Sequence, residues 1–286
     1  MRSKPESGLR FGYAPVALFA LAVAAMTVAA PPVAAQSARL ELSEESVIET
    51  IKRRGAINIG VSLFVPWSMR DRNGDLIGFE IDVGNKLAQD MGVDAAFVPT
   101  AWDGIIPALV TGRFDVIISG LSVTPQRNLT VNFTEPYAFS RSTILANRAL
   151  TEGFSIEDFN ASGVTFAARR GATAAAIVAD TFPNAQLLLF DEDGAALQEL
   201  LNGTAHATIS SQPTPMLEAR TYPETLYVPF DVLYDQFGEA FALRKGDPDA
   251  LNFFNNWIAH QWRTGWLQER HDYWFTTDEW LERIAR

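Results

Sequence analysis

The sequence of 286 residues contains no cysteine, and this absence excludes several kinds of site. Disulfide bonds, thiolate metal ligands and cysteine nucleophiles are ruled out, and so is the acylated cysteine that anchors a lipoprotein. The three histidines, His206, His260 and His271, do not follow the HxxxH or HExxH spacing of histidine metal sites. We therefore expect no metal site, and no motif in the sequence points to a cofactor.

Positive charge is also scarce. The chain has 23 Lys and Arg residues against 34 Asp and Glu residues, which gives a net charge of −11 at pH 7. Because a protein that binds a polyanion needs a basic surface, we do not expect nucleic acid as a partner. Hydrophobic residues make up 48% of the chain, so it can form sizeable cores and is not a disordered protein.

The only long hydrophobic run lies at the N-terminus. Three basic residues stand among the first ten, residues 14–30 are apolar, and small residues at 33–35 precede a cleavage position. This pattern predicts a cleaved signal peptide over residues 1–35. A short membrane anchor is the alternative, but Pro15 and the prolines that close the run disfavour it. Cleavage removes three positive charges and one negative charge, so the net charge changes from −11 to −13. We expect a soluble, acidic exported protein that is not a lipoprotein.

Helix and strand patterns alternate through the rest of the chain, which is typical of an α/β fold. The predicted helices are 46–54, 81–91, 173–181 and 194–201. The predicted strands are 57–63, 95–100, 114–120, 164–168, 186–190 and 205–209. The strand 114–120 is typical of one buried on both faces of a sheet. Asp103 is predicted to be the N-cap of a further helix that runs to Gly112.

Four stretches of the mature chain follow a known family pattern. They read GFEIDVGNKLAQDMGV, AWDGIIPALVTGRFDVIISGLSVTPQRNLTVNFTEPY, FDEDGAALQELLNG and GDPDALNFFNNWIAHQWRTGWLQERHDYWF. These stretches resemble the family 3 extracellular solute-binding proteins, the periplasmic receptors of polar amino acid ABC importers. The resemblance covers residues 45–275.

The resemblance implies a two-lobe, type II periplasmic-binding-protein fold of the α/β class. Each lobe is then a mixed, mostly parallel sheet flanked by helices, with a cleft between the lobes. Lobe 1 is expected to comprise residues 40–140 plus 240–286, and lobe 2 residues 141–239. The sequences STILAN and GEAFAL stand at the two crossings and read as extended chain.

The resemblance also implies a function. The chain would capture a small solute that carries a carboxylate, an amino acid or a derivative, and deliver it as a monomer to an inner-membrane ABC permease. The alternative is a periplasmic enzyme on the same fold, similar to cyclohexadienyl or arogenate dehydratases. The enzyme is disfavoured because Ser211 stands near the expected position of a proton-donating acid, and a hydroxyl cannot protonate a leaving group. We therefore predict a binding protein with no catalytic residues.

Arg127 is the strongest candidate for contact with the solute. Thr124 and Pro125 read as the N-cap and first residue of a helix, so Arg127 falls in the first turn, where a cation is locally unfavourable. A bound anion would compensate for this, and the resemblance implies that Arg127 binds the α-carboxylate of the solute. Gly120 and Ser122, in the same segment, are expected to line the site.

The loop 169–173 is the expected counterpart in the second lobe. The resemblance implies that Thr173 caps the following helix and contacts the same carboxylate from the opposite wall. Arg170 either binds a second acidic group of the solute or is only a surface charge. Contacts from both lobes would couple closure of the lobes to binding.

Aromatic residues are expected on the walls of the site. Phe64 and Trp102 match positions where the family places side chains against the solute, and their faces can hold an apolar or cationic group. Packing in the core is the alternative for both residues. Five further tryptophans are assigned to packing in the C-terminal helices: Trp257, Trp262, Trp266, Trp274 and Trp280. Glu80 and Asp82 are expected on different faces, with Asp82 as a helix N-terminal acid, and not as a catalytic pair.

The chain departs from the family at the site for the ammonium group. The family pattern GxxDAxxxD has acidic residues where this chain has His206 and Ser211. A neutral hydroxyl does not compensate a buried ammonium. Either the solute lacks an ordinary α-amino group or another carboxylate replaces the missing one. Glu239 is the candidate for that carboxylate, and an exposed glutamate near the crossing is the alternative.

Overall fold

The computed structural model describes residues 46–284. The predicted signal peptide, residues 1–35, lies outside the described residues. In the part of the chain described, no helix combines the length and the apolar character needed to cross a membrane.

Within residues 46–284, nine strands form the main sheet and two short strands pair separately. In chain order the strands are β1 (Ala56–Val61), β2 (Met69–Arg70), β3 (Leu76–Ile77), β4 (Asp94–Pro99), β5 (Val116–Ile117), β6 (Asn132–Asn147), β7 (Thr165–Arg169), β8 (Gln186–Phe190), β9 (Ala207–Ser211), β10 (Leu226–Tyr227) and β11 (Tyr234–Leu243). The strand order in the main sheet is β4-β1-β5-β11-β6-β9-β7-β8, with β10 paired to β6.

The sheet consists of two parallel groups joined by two antiparallel strands. Strand β1 pairs in parallel with β4 and β5, and β7 pairs in parallel with β8 and β9. Between these groups, β6 and β11 run antiparallel to each other over most of the length of β11. The predicted crossing segments, 142–147 and 238–243, lie in these two strands, so the expectation of extended chain is confirmed.

Helices pack around the sheet, as expected for an α/β protein. They are α1 (Val47–Arg54), α2 (Phe79–Met91), α3 (Ile105–Val110), α4 (Pro125–Asn128), α5 (Arg148–Thr151), α6 (Thr173–Thr181), α7 (Asp193–Leu201), α8 (Thr214–Thr221), α9 (Pro248–Thr264) and α10 (Trp266–Thr276). Short 3₁₀ turns cover Trp102–Gly104, Glu157–Asn160 and Leu281–Arg283.

Two predicted helix boundaries are confirmed by their capping hydrogen bonds. Ser46 caps α1 by accepting from the amide of its second residue, and Gly55 ends it with a left-handed φ of 71°. At α4, the Thr124 hydroxyl accepts from the backbone N–H of Arg127 at 3.2 Å. The predicted cap therefore places Arg127 in the first turn.

Two other local predictions are wrong. Asp103 does not cap a helix: it lies inside the 3₁₀ turn, and α3 begins at Ile105 without a side-chain cap. The strand predicted over 114–120 is shorter, since only Val116–Ile117 forms a ladder, although both residues are fully buried. Three residues further on, Gly120 adopts a left-handed φ of +52°, which is not a strand conformation.

The buried apolar side chains of residues 46–284 form four clusters that separate along the chain. Two clusters draw their buried members from 47–138 and 241–280. The other two draw theirs from 144–226. The C-terminal tryptophans pack in or against the first cluster, which confirms their predicted role in packing.

Gly78 provides a test of the backbone that leads into α2. Its φ is +135°, and a Cβ there would lie 2.3 Å from the carbonyl oxygen of Trp67. Gly74 has a φ of +89° with no atom within 4 Å of an added Cβ, so it is a matched control. Gly78→Ala is expected to lower the free energy of unfolding by about 1–3 kcal/mol more than Gly74→Ala, because only the first creates a collision with backbone. Urea unfolding of the mature chain measures both, and equal losses would contradict the packing described.

Candidate solute-binding site

A charged pocket lies where several parallel strands end, the usual position of a ligand site in α/β proteins. Its lining follows the carboxyl ends of β1, β5 and β7, and includes the end of β9 and one residue of β11. We call it the central pocket. The predicted site residues that line it are Phe64, Trp102, Gly120, Ser122, Thr173, Ser211 and Glu239. The residues that the sequence analysis did not assign to it include Ser62, Trp67, Glu80, Ser119, Arg169, Asp193 and Ser210.

Glu80 contributes a fully buried carboxyl group to this pocket. It is the second residue of α2, and its Oε1 accepts hydrogen bonds from the Tyr137 hydroxyl at 2.5 Å and from the backbone N–H of Gly120. Its Oε2 has no hydrogen-bond partner among residues 46–284. Burial raises the pKa of Glu80 to about 8, against the lowering effect of the two hydrogen bonds. The group is therefore mostly protonated at neutral pH.

Glu80 and Asp82 point in different directions, as predicted. Asp82 accepts a hydrogen bond from Trp274 Nε1 at 2.7 Å, so it ties α2 to the C-terminal helices. The sequence analysis considers Glu80 only as a catalytic partner of Asp82 and therefore does not assign it to the solute-binding site. The position of Glu80 between two apolar residues, Phe79 and Ile81, is the sequence signal that could have indicated its burial.

Glu239 brings a second carboxyl group to the central pocket from β11. It is 2% exposed, so the alternative of an exposed glutamate is wrong. The Ser140 hydroxyl of β6 donates to its Oε1 at 2.6 Å, while its Oε2 has no hydrogen-bond partner in the described part of the chain. Burial raises the pKa of Glu239 to about 8. Two partly unpartnered, mostly neutral acids therefore line one pocket.

Arg127 lies beside the central pocket. It lines an adjoining pocket, the side pocket, and Trp102 and Thr173 line both. Its guanidinium donates to the carbonyl oxygens of Ser122 at 2.9 Å and Gly171 at 3.0 Å. Burial and the nearby positive charge of Arg169 lower the pKa of Arg127 to about 10. The side chain thus connects the loop after β5 with the loop after β7.

Thr173 is the first residue of α6 and does not cap it. Ala172 occupies the N-cap position, with no capping hydrogen bond from a side chain. The predicted cap is wrong because the N-cap must precede the helical residues, and Thr173 already has helical backbone. Its position at the start of the helix leaves it on the wall shared by the two pockets.

The two adjacent arginines of the loop after β7 differ in environment. Arg170 is half exposed, lies 3.3 Å from Asp191, and donates to the carbonyl oxygen of Leu189. Arg169 lines the central pocket and is 6% exposed. Arg169 is the last residue of β7 and Arg170 is the first residue of the turn that follows, and the central pocket is lined by Arg169 and not by the predicted Arg170.

The two residues that depart from the family pattern lie at the two ends of β9: His206 directly precedes the strand and Ser211 is its last residue. Ser211 pairs with Ser142 of β6 and lines the central pocket together with Ser210. His206 is oriented toward β7, where its Nδ1 accepts from the backbone N–H of Thr165 at 3.1 Å. Among residues 46–284, no three His, Asp or Glu residues are grouped as a metal site requires.

Two parallel sheet groups joined by antiparallel strands, with a polar pocket at the strand ends, define a type II periplasmic-binding fold. The family model of bacterial extracellular solute-binding proteins, family 3, matches residues 57–277. The chain belongs to this family.

Three similar proteins illustrate the range of the family. The L-cystine-binding protein TcyJ of Escherichia coli K12 is 27% identical over 82% of this chain and 88% of its own length. The cyclohexadienyl dehydratase of Pseudomonas aeruginosa is 25% identical over 81% of this chain and 87% of its own. A putative ABC transporter binding component from Wolinella succinogenes, solved with lysine, is 36% identical with a TM-score of 0.75, covering 80% of this chain and 99% of that one.

The protonated state of Glu239 has a consequence for stability. The folded carboxyl keeps its proton up to about pH 8, whereas its ordinary pKa is 4.5. The folded protein thus binds more protons than the unfolded chain between these values, and the free energy of unfolding falls as pH rises through this window. Glu80 has a raised pKa of about 8 as well and adds to the same dependence. Glu239→Gln keeps a neutral side chain, so it is expected to make this dependence less steep by about half and to stabilise the protein at pH 8 by on the order of a few kcal/mol.

Urea unfolding at several pH values between 5 and 8 checks this prediction. The matched control is Glu135→Gln, because Glu135 is exposed on β6. The control is expected to keep the pH dependence of the wild type. Parallel curves for wild type and Glu239→Gln would show that Glu239 is ionised in the folded protein.

Proposed function

We propose that this chain is exported by its signal peptide and serves as the periplasmic substrate-binding protein of an ABC importer. Its solute is an amino acid or close derivative with a free carboxylate, captured by a monomer and handed to an inner-membrane permease. The binding lobes are residues 40–140 plus 240–286 and residues 141–239. The separation of the apolar clusters along the chain supports these bounds.

The observation that carries this proposal is the pair of buried carboxyl groups with unpartnered oxygens. Oε2 of Glu80 and Oε2 of Glu239 have no hydrogen-bond partner among residues 46–284, and both residues line the central pocket. A buried polar atom without a partner costs about 1–3 kcal/mol. An ammonium group supplies up to three N–H donors and a positive charge, which satisfies these oxygens and favours their ionised form.

The side pocket, which adjoins the central pocket, offers groups that suit a carboxylate. Arg127 and Thr173 come from the two different lobes and meet at the side pocket. The Arg127 guanidinium already crosses between the loops after β5 and β7 through the carbonyl oxygen of Gly171. A carboxylate placed against both residues would be bound fully only when the loops approach, which couples binding to closure.

The relatives support the same assignment. TcyJ is named for L-cystine, and the Wolinella protein was solved with lysine, so both bind molecules with ammonium and carboxylate groups. This chain has Ser211 where the family pattern has an acid, and we assign the role of that acid to Glu239, assisted by Glu80. The solute then keeps its α-amino group although the usual anchor is missing.

Glu239→Gln tests the assignment because it preserves shape and removes the charge. It is expected to weaken the binding of L-amino acids at least tenfold, since an ammonium left beside a neutral amide loses its counter-ion. Calorimetric titration of the mature chain, residues 36–286, measures the dissociation constants after unfolding and refolding to remove bound solute. Glu135→Gln is the control and is expected to bind as the wild type does.

The same titration is repeated at several pH values. Ammonium binding requires an ionised carboxylate, so wild-type affinity is expected to rise between pH 6 and pH 8 and Glu239→Gln to show a smaller rise. Amino acid binding that is unchanged by Glu239→Gln at every pH would refute the assignment of Glu239.

A dehydratase remains the second candidate function, because one observation favours it. Glu80 is a mostly protonated acid that lines the pocket, and such a group can give a proton to a leaving hydroxide. The cyclohexadienyl dehydratase relative shows that the family includes an enzyme. We expect no release of phenylpyruvate from prephenate or of phenylalanine from arogenate. If the wild type converts either substrate and Glu80→Gln abolishes this activity, the protein is an enzyme and not a transport receptor.

A further inference from the structure

The structure places a cation of the protein itself against the aromatic walls of the central pocket. The guanidinium carbon of Arg169 lies 4.3 Å from the ring centre of Trp102 and 5.5 Å from that of Phe64. Both rings are expected to hold an apolar or cationic part of a solute. In this chain the guanidinium group of Arg169, at the end of β7, occupies the position against these rings.

Arg169 has only partial compensation for its charge. Its Nη1 lies 2.9 Å from Asp193 Oδ2, but the contact lacks the geometry of a hydrogen bond. Nε and Nη1 have no hydrogen-bond partner among residues 46–284, although the side chain is 6% exposed. Burial lowers the pKa of Arg169, which is partly offset by the nearby Asp193. Buried donors without partners indicate that an acceptor is missing.

A second positive charge stands close by. Arg127 donates to two carbonyl oxygens and has no ion-pair partner in the described part of the chain. The charges of Arg127 and Arg169 repel each other, which contributes to the lowered pKa of Arg127. The acids Glu80 and Glu239, as assigned above, are engaged by the ammonium of the solute. The region around the two guanidinium groups therefore favours an anion and disfavours a further cation.

We propose that Arg169 is a specificity-determining residue that binds a second carboxylate on the solute and rejects solutes with a cationic side chain. The inference rests on the proposed function, since it assigns the side-chain end of the same amino acid. The two unpartnered N–H groups of Arg169 donate to the second carboxylate, a charge-assisted contact stronger than one to a neutral oxygen. A lysine or arginine side chain would have to displace Arg169 from the rings or lie beside two positive charges.

The test compares solutes that differ in one group. L-Glutamate and L-glutamine share their shape and differ in side-chain charge, as do L-aspartate and L-asparagine, while L-lysine and L-arginine carry a cation. Calorimetric titration of the refolded wild-type chain is expected to give a dissociation constant at least tenfold lower for one of the acids than for its amide. Lysine and arginine are expected to bind more weakly than either.

Arg169→Met removes the charge and keeps much of the side-chain length. It is expected to reduce the acid-to-amide ratio to about one and to improve the binding of lysine or arginine at least tenfold. Arg170→Met is the matched control, because Arg170 is adjacent and half exposed, and it is expected to keep the wild-type ratio. Since Arg169→Met leaves Asp193 without its counter-ion, the double variant Arg169→Met/Asp193→Asn is measured as well, with circular dichroism to verify folding.

The outcomes separate this inference from the proposed function. Wild-type protein that binds amides or cationic amino acids as tightly as the acids would overturn the role of Arg169 and leave amino acid binding intact. An acid-to-amide ratio unchanged in both Arg169 variants would do the same. Failure of the wild type to bind any amino acid in the panel would refute the proposed function, and the inference with it.

Discussion

The antiparallel pairing of β6 with β11 is the constraint on which the rest of the structure depends. These two strands join the parallel groups of the sheet, and they run between apolar clusters that are otherwise separate along the chain. The same pairing places Ser140 against Glu239 at the central pocket. A slip of one residue would turn Glu239 to the opposite face of the sheet, so the register that holds the fold together also holds the site.

The site combines groups that oppose one another electrostatically. Burial keeps Glu80 and Glu239 mostly neutral. Arg127 donates only to carbonyl oxygens, and Arg169 has two nitrogens without a hydrogen-bond partner among residues 46–284. A zwitterionic solute resolves both problems at once, because its ammonium ionises the acids and its carboxylate compensates a guanidinium. The central pocket is in this sense complementary to a solute with separated charges.

Local patterns in the sequence predicted much of the fold, and the residue types predicted part of the site. The helices at Ser46 and Thr124 follow from side-chain caps that act within a few residues, so they could be read directly. The prediction that Asp103 caps a helix is wrong because a 3₁₀ turn forms over the same residues. The burial of Glu239 depends on which face of β11 meets the pocket, and the difference between Arg169 and Arg170 depends on where β7 ends. Both features are set by strand pairing between distant parts of the chain, which local patterns do not contain.

The central claim is that a solute lies with its ammonium against Glu239 and Glu80 and its α-carboxylate toward Arg127 and Thr173. A crystal structure of the mature chain, grown with the tightest-binding amino acid of the panel, tests it most directly. We predict electron density in the central pocket with the nitrogen within hydrogen-bond distance of Glu239 Oε2. A carboxylate facing Glu239, or a solute bound outside this pocket, would contradict the account.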